Sequence, residues 1–158
     1  MFICVKGSTI SNREMAEDIG YFSLSILAPR LRNSNKLEVD ISLIKNLKEK
    51  EDVVGDCVWE DSSYMPRHFT IRIDSSQSKH DMLQTVAHEM VHVKQFARGE
   101  LKDTDSLSIC KWNGKDINHM KTHYYDCPWE IEAHGRERGI FIRWVEQSKW
   151  KNCKWAKY

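Results

Sequence analysis

Residues 78–97 narrow the folds open to this chain more than any other stretch, because they read as one helix with two opposed faces. Ser78-Lys79-His80-Asp81 is an S-x-x-D start signal, in which the serine side chain accepts a backbone N–H of the first turn. With His88 taken as zero, Met82, Leu83, Val86, Met90, Val93 and Ala97 fall within roughly 120° to 220° around the axis, forming one apolar stripe. Opposite lies His88-Glu89-Met90-Val91-His92, an HExxH pentapeptide. Residues four apart stack on one helical face, so His88 and His92 can offer two imidazole nitrogens to one metal ion. Glu89 projects about 100° from His88, within reach of a water at the histidines but badly placed to be a ligand. Gln95 returns to within about 20° of the histidine face and could support a ligand or touch a substrate. A fold that holds this helix must bury one side in a core and bring another ligand to the other.

The flanking segments supply that core. Phe2 to Lys6 predicts a short strand, and Ser11-Asn12-Arg13-Glu14 a capping box. Met15, Ile19, Phe22 and Ile26 then make a helical stripe to about Pro29. From Leu37 the period changes to two, with Leu37, Val39, Ile41 and Leu43 on one face of a half-buried strand. The run Lys48-Glu49-Lys50-Glu51-Asp52 predicts a solvated turn, and Val54 to Glu60 a second strand. Phe69, Ile71 and Ile73 alternate with Thr70 and Arg72 in a third, directly before the HExxH helix, where an exposed edge could hold an extended peptide. Beyond Gly99 the chain is polar until Leu107 to Trp112, a short strand turned by Asn113-Gly114. Pro128 suits the first position of a helix, expected from Trp129 to about Trp155 with Ile131, Ile140, Phe141, Trp144 and Val145 inward. There is no internal repeat, low-complexity segment or linker, and the 158 residues suit one domain, 1–158.

Charge and cysteine content exclude several classes. With 24 Lys+Arg against 23 Asp+Glu the net charge is +1, so bulk electrostatics announce neither a nucleic-acid nor a membrane partner. Cys4, Cys57, Cys110, Cys127 and Cys153 are odd in number, scattered and without a CxxC pair, which is neither a disulfide framework nor a structural zinc knuckle. Reduced thiols in a cytoplasmic protein are the expectation. Apolar character lasts too briefly before Lys6 for a signal-peptide core, and no later run approaches membrane length, so the chain reads as soluble and not exported.

Two histidines need a third protein ligand if a catalytic zinc is to keep its fourth position open. The candidates are His119, His123, Glu130, Glu132 and His134. Thr85-Val86-Ala87-His88-Glu89-Met90-Val91-His92-Val93-Lys94-Gln95, followed by Pro128-Trp129-Glu130-Ile131-Glu132-Ala133-His134, resembles the SprT-like zinc metallopeptidases of bacteriophage type, compact relatives of the gluzincins. The likeness spans approximately residues 68 to 138. It implies a small α+β, zincin-like domain: a short mixed sheet packed on the HExxH helix, and a second, glutamate-bearing C-terminal helix. It also implies Zn2+ held by His88, His92 and Glu130, since gluzincins carry a glutamate on the second helix, often as E-x-x-x-D with the later acid bracing a ligating histidine. Here His134 stands where that acid would be. Glu132, about 200° around the helix from Glu130, and His134, as a third histidine of the Spartan kind, remain alternatives. Glu137 shares the Glu130 face as a supporting or solvated acid. His68 and His80 receive no role.

The expected activity is hydrolysis of a protein or peptide by a zinc-activated water, with Glu89 as general base. Tyr124, Tyr125 or His123 is placed to donate to the oxyanion. Two other functions compete. Residues 148–158 carry four lysines, no acids and three aromatics, a possible nucleic-acid contact of a DNA-associated protease, or a helix end docking its tryptophans on the core. Alternatively zinc only ties two helices of a non-catalytic binding protein together.

Overall fold

The computed structural model describes residues 1–32, 36–61 and 64–157. It is an α+β fold with a four-stranded mixed sheet, a small three-stranded sheet and five α-helices. The chain opens with β1 (Phe2–Gly7), α1 (Ile10–Leu27), the one-turn α2 (Pro29–Arg32) and β2 (Glu38–Ile44). Next come α3 (Leu47–Glu51), β3 (Gly55–Trp59), β4 (His68–Asp74) and the HExxH helix α4 (Lys79–Ala97). The larger sheet has the order β1-β2-β4-β3, with β3 antiparallel to β4 and the other pairs parallel.

One face of this sheet is buried and the other wet. Val39, Ile41, Leu43, Phe69, Ile71 and Ile73 are at most 3% exposed and join one core with Ile3, Met15, Ile19 and the apolar stripe of α4. The alternate residues meet solvent and pair with one another: His68 with Asp40 at 3.0 Å, and Arg72 with both Asp56 and Glu51. The period of two in β2 and β4 is the direct cause of this division. α1 and α4 lie on the buried face, and α5 (Pro128–Gln147) packs on α4. α4 is therefore covered nearly all round: its six stripe residues are at most 1% exposed, and even Glu89 and Gln95 are buried.

Some local expectations shift. Ser78 caps α4 as read, accepting from Asp81 N at 3.1 Å. Thr9 rather than Ser11 caps α1, accepting from Asn12 N at 3.2 Å, so Ser11 and Glu14 lie inside the helix. The charged run at 48–52 is not a plain solvated turn but a short helix anchored by buried Leu47. Asp74 accepts from Lys48 N at 3.0 Å and Ser76 N at 2.8 Å, fastening that helix to the end of β4.

The chain beyond α4 forms the small sheet, β5 (Leu101–Asp103), β6 (Ile109–Trp112) and β7 (Lys115–Asn118), with Asn113-Gly114 in the left-handed conformation at the β6–β7 turn. β5 lies in a stretch expected to be irregular. α5 starts at Pro128 as expected but ends at Gln147 instead of near Trp155. After it the chain turns back, and Trp150 and Trp155 pack against Trp144 with ring centroids 5.3 and 6.5 Å away. Tyr158, the third aromatic of the tail, lies outside the described residues. Ile131, expected inward, is 57% exposed. It sits nine residues before buried Ile140, which is about 180° around a helix, so the two cannot share a face. No helix among the described residues is long and apolar enough to cross a membrane.

Candidate metal centre

α4 and α5 cross so that HExxH meets the start of the second helix. His88 Nε2 and His92 Nε2 stand 3.1 Å apart. Glu130 brings Oε2 to 3.3 Å from the first and Oε1 to 3.6 Å from the second. Nitrogens and oxygens bonded to one zinc at about 2.0–2.2 Å lie at most roughly 4 Å apart, and all three separations fall inside that bound. The three residues are 6 to 8% exposed. Glu130 Oε2 is buried with no contact in hydrogen-bond geometry and with His88 Nε2 3.3 Å away, a setting that favours a cation beside it. Buried His88, His92 and Glu130 could thus hold a metal ion.

The far sides of both rings set their tautomers. His88 Nδ1–H donates to Glu137 Oε2 at 2.7 Å, an acceptor-only carboxylate. His92 Nδ1–H donates to Gln95 Oε1 at 2.8 Å. The Gln95 amide is oriented by its nitrogen, which donates to Trp129 O at 2.9 Å and Glu132 Oε2 at 3.1 Å. With Nδ1–H committed in this way, each Nε2 faces Glu130, and a metal ion bound there would take the place of the Nε2 proton, as at a metal-ligating histidine. Gln95 also links the two helices one residue before Glu130. The electrostatics agree with a cation site. Burial opposes charge on His88, but Glu130 and Glu137 outweigh it and push its pKa up to about 10. Burial alone would raise the Glu130 pKa, but the facing His88 and His92 hold its carboxyl well below the usual range.

The remaining candidates are placed elsewhere. Glu132 pairs with Lys94 at 2.7 Å and Arg136 at 2.8 Å, and so neutralises a lysine buried in α4. His134 is exposed, with Nδ1 3.4 Å from Glu137 and its ring 4.6 Å from that of His88. The bracing acid expected four residues after Glu130 is thus found seven residues after it, at Glu137, which stands only about 20° from Glu130 around the axis. A second grouping, His88 with His134 and Glu137, reuses the same His88 and is accounted for by this brace. His119 and His123 join neither grouping; His123 stacks on Tyr125 at 5.9 Å. Glu137→Gln is expected to retain the fold and weaken zinc binding about 10- to 100-fold, read by competition with a chelator. Unchanged affinity would remove the bracing role.

Glu89 lies in the wall of the same site, 4% exposed. Burial raises its pKa to about 7 against the pull of His92 and His88. Tyr124, in a 3₁₀ turn just before α5, lies beside Glu130; burial and that carboxylate push its hydroxyl up, so it stays protonated. Tyr125 is 62% exposed and faces His134.

Two features escape a local reading. The strand beside the site with a free edge is β3, not the Phe69–Ile73 strand, because β4 is paired on both sides and has no edge to offer a peptide. Gly55, which opens β3, has no room for a side chain: a Cβ there would lie 2.6 Å from Thr85 Cγ2 and 3.0 Å from Glu89 Oε1. A lone glycine opening a strand pattern is the available signal for such a close approach. Gly55→Ala is expected to cost about 1–3 kcal/mol, read as a lower denaturation midpoint, because Thr85 and Glu89 must both move. An unchanged midpoint would show that the wall yields freely.

In comparisons with known proteins, no family model, no curated protein and no solved structure matches the chain.

Proposed function

We propose that this protein is a zinc metallopeptidase of compact, zincin-like type that hydrolyses peptide bonds. The observation that carries the reading is the convergence of two tautomer-fixed Nε2 atoms and the Glu130 carboxylate on one buried point, with Glu89 beside it. His88, His92 and Glu130 would hold the ion, the set of two histidines and one glutamate used by catalytic zinc. Zinc so held supplies a Lewis acid that polarises a carbonyl and brings the pKa of a water toward neutrality.

The chain's own residues do the rest. Glu89, with a pKa of about 7, is matched to accept a proton from the attacking water and pass it to the leaving amine nitrogen. Its burial keeps that proton from exchanging with bulk solvent. Tyr124, held protonated, can donate to the oxyanion formed when the carbonyl is attacked. The free edge of β3 can hold the substrate main chain by added-strand hydrogen bonds.

Chelation followed by zinc repletion tests this reading. The purified chain is expected to bind one zinc, to hydrolyse an unfolded protein, to lose that activity with the zinc and to regain it on stoichiometric repletion. Hydrolysis that persists without metal, or a chain that takes up no zinc, would overturn it.

A further inference from the structure

The cleft at the metal centre has two chemically different halves. They share a waist formed by Asp52, Gly55, His88, Glu89 and Tyr124. On the side toward the start of α4 the cavity is about 450 Å³, and its lining includes the carboxylates of Asp52, Asp81 and Glu137 but no lysine or arginine. Hydrogen bonds from Ser78 and His80 hold the Asp81 carboxyl below its ordinary pKa.

On the side toward the end of α4 the cavity is about 440 Å³ and lined by Val53, Cys57, Phe96, Leu101 and Trp129. The acid added there, Asp56, is neutralised by the Arg72 guanidinium. Glu130, whose side chain is only 7% exposed, also lines this half, where its carboxylate faces His88 and His92.

Resting on the metallopeptidase reading, we infer that the substrate is a polypeptide with a bulky apolar residue on the N-terminal side of the cut bond and a lysine or arginine on its C-terminal side. The polarity follows from β3. Val54, just before this strand, lines only the acidic half, Gly55 lines both, and Asp56 and Cys57 line only the apolar half. β3 therefore runs from acidic to apolar. An added strand antiparallel to it, the commoner pairing, lays its N-terminal part in the apolar half and its C-terminal part among the carboxylates. Trp59 Nε1 donates to Asp103 Oδ2 at 3.0 Å, which ties the far end of β3 to the small sheet.

The test uses zinc-loaded protein and peptides that differ only around one bond, Leu-Lys, Leu-Glu and Lys-Leu. It is read both as kcat/KM and as binding of the same peptides to the Glu89→Gln variant by fluorescence anisotropy. Leu-Lys is expected to exceed Leu-Glu about tenfold in both readouts, with the gap narrowing in high salt. Asp52→Asn, and separately Asp81→Asn, are expected to shrink it several-fold. Binding preference without hydrolysis would uphold this inference while the peptidase reading fails. Hydrolysis with equal use of Leu-Lys and Leu-Glu, or with Lys-Leu preferred, would overturn the inference and leave the peptidase reading intact.

Discussion

Glu89→Gln is expected to bind zinc with wild-type stoichiometry and to hydrolyse an unfolded protein about 10²- to 10⁴-fold more slowly. Glutamine preserves the volume of a side chain that is 4% exposed and lies against Gly55, so the wall of the site keeps its shape. It is not one of the three residues whose atoms converge, so the metal affinity has no reason to fall. What disappears is a carboxylate with a pKa of about 7, the group proposed to accept the water's proton and return it within a turnover. The two readouts together matter: activity close to wild type would sink the assigned mechanism, and loss of zinc along with activity would make Glu89 part of the metal set instead.

Glu130→Ala is expected to lower zinc affinity by two orders of magnitude or more, whereas Glu132→Ala leaves it near wild type. In the wild type, zinc at about 1,000 times its dissociation constant is expected to stabilise the fold by roughly 4 kcal/mol, which for a domain of this size is a rise in Tm of roughly 8–16 °C. That zinc-dependent rise should vanish in Glu130→Ala. Glu132→Ala should instead lower Tm with or without zinc, since Lys94, 6% exposed, then keeps only Glu100, 2.6 Å away, as a close counter-charge. A full zinc-induced shift in Glu130→Ala would move the third ligand to another residue. The two glutamates are two positions apart in sequence, and the experiment separates a metal ligand from the counter-ion of a buried lysine.

The features legible in the sequence are those set within a few residues. The cap at Ser78, the stripe from Met82 to Ala97, the alternation in β2 and β4, the Asn113-Gly114 turn and the Pro128 start all depend on neighbours one or two turns away, and all are present. The misplaced details lie where two local signals compete or a distant partner intervenes. Thr9 and Ser11 are both good caps, and the chain uses the earlier. Ile131 is apolar, but the Glu130–Ala133–Ile140–Trp144 face decides which way α5 turns, and it turns Ile131 out. α5 stops short of the expected Trp155 because, although Trp150 and Trp155 continue its apolar pattern, the chain folds back at Ser148 to stack them on Trp144.

The sequence alone determined the pair of histidines, the glutamate between them and the apolar back of their helix, because four-residue spacing and helical phase are properties of a single helix. Only the tertiary structure decided which distant groups complete the site. Glu130 rather than Glu132 or His134 faces the histidines, Glu137 rather than residue 134 braces His88, and β3 rather than β4 presents the free edge. Each of those choices depends on the crossing of two helices about forty residues apart in the chain, or on the order of strands in a sheet, and no local periodicity encodes either.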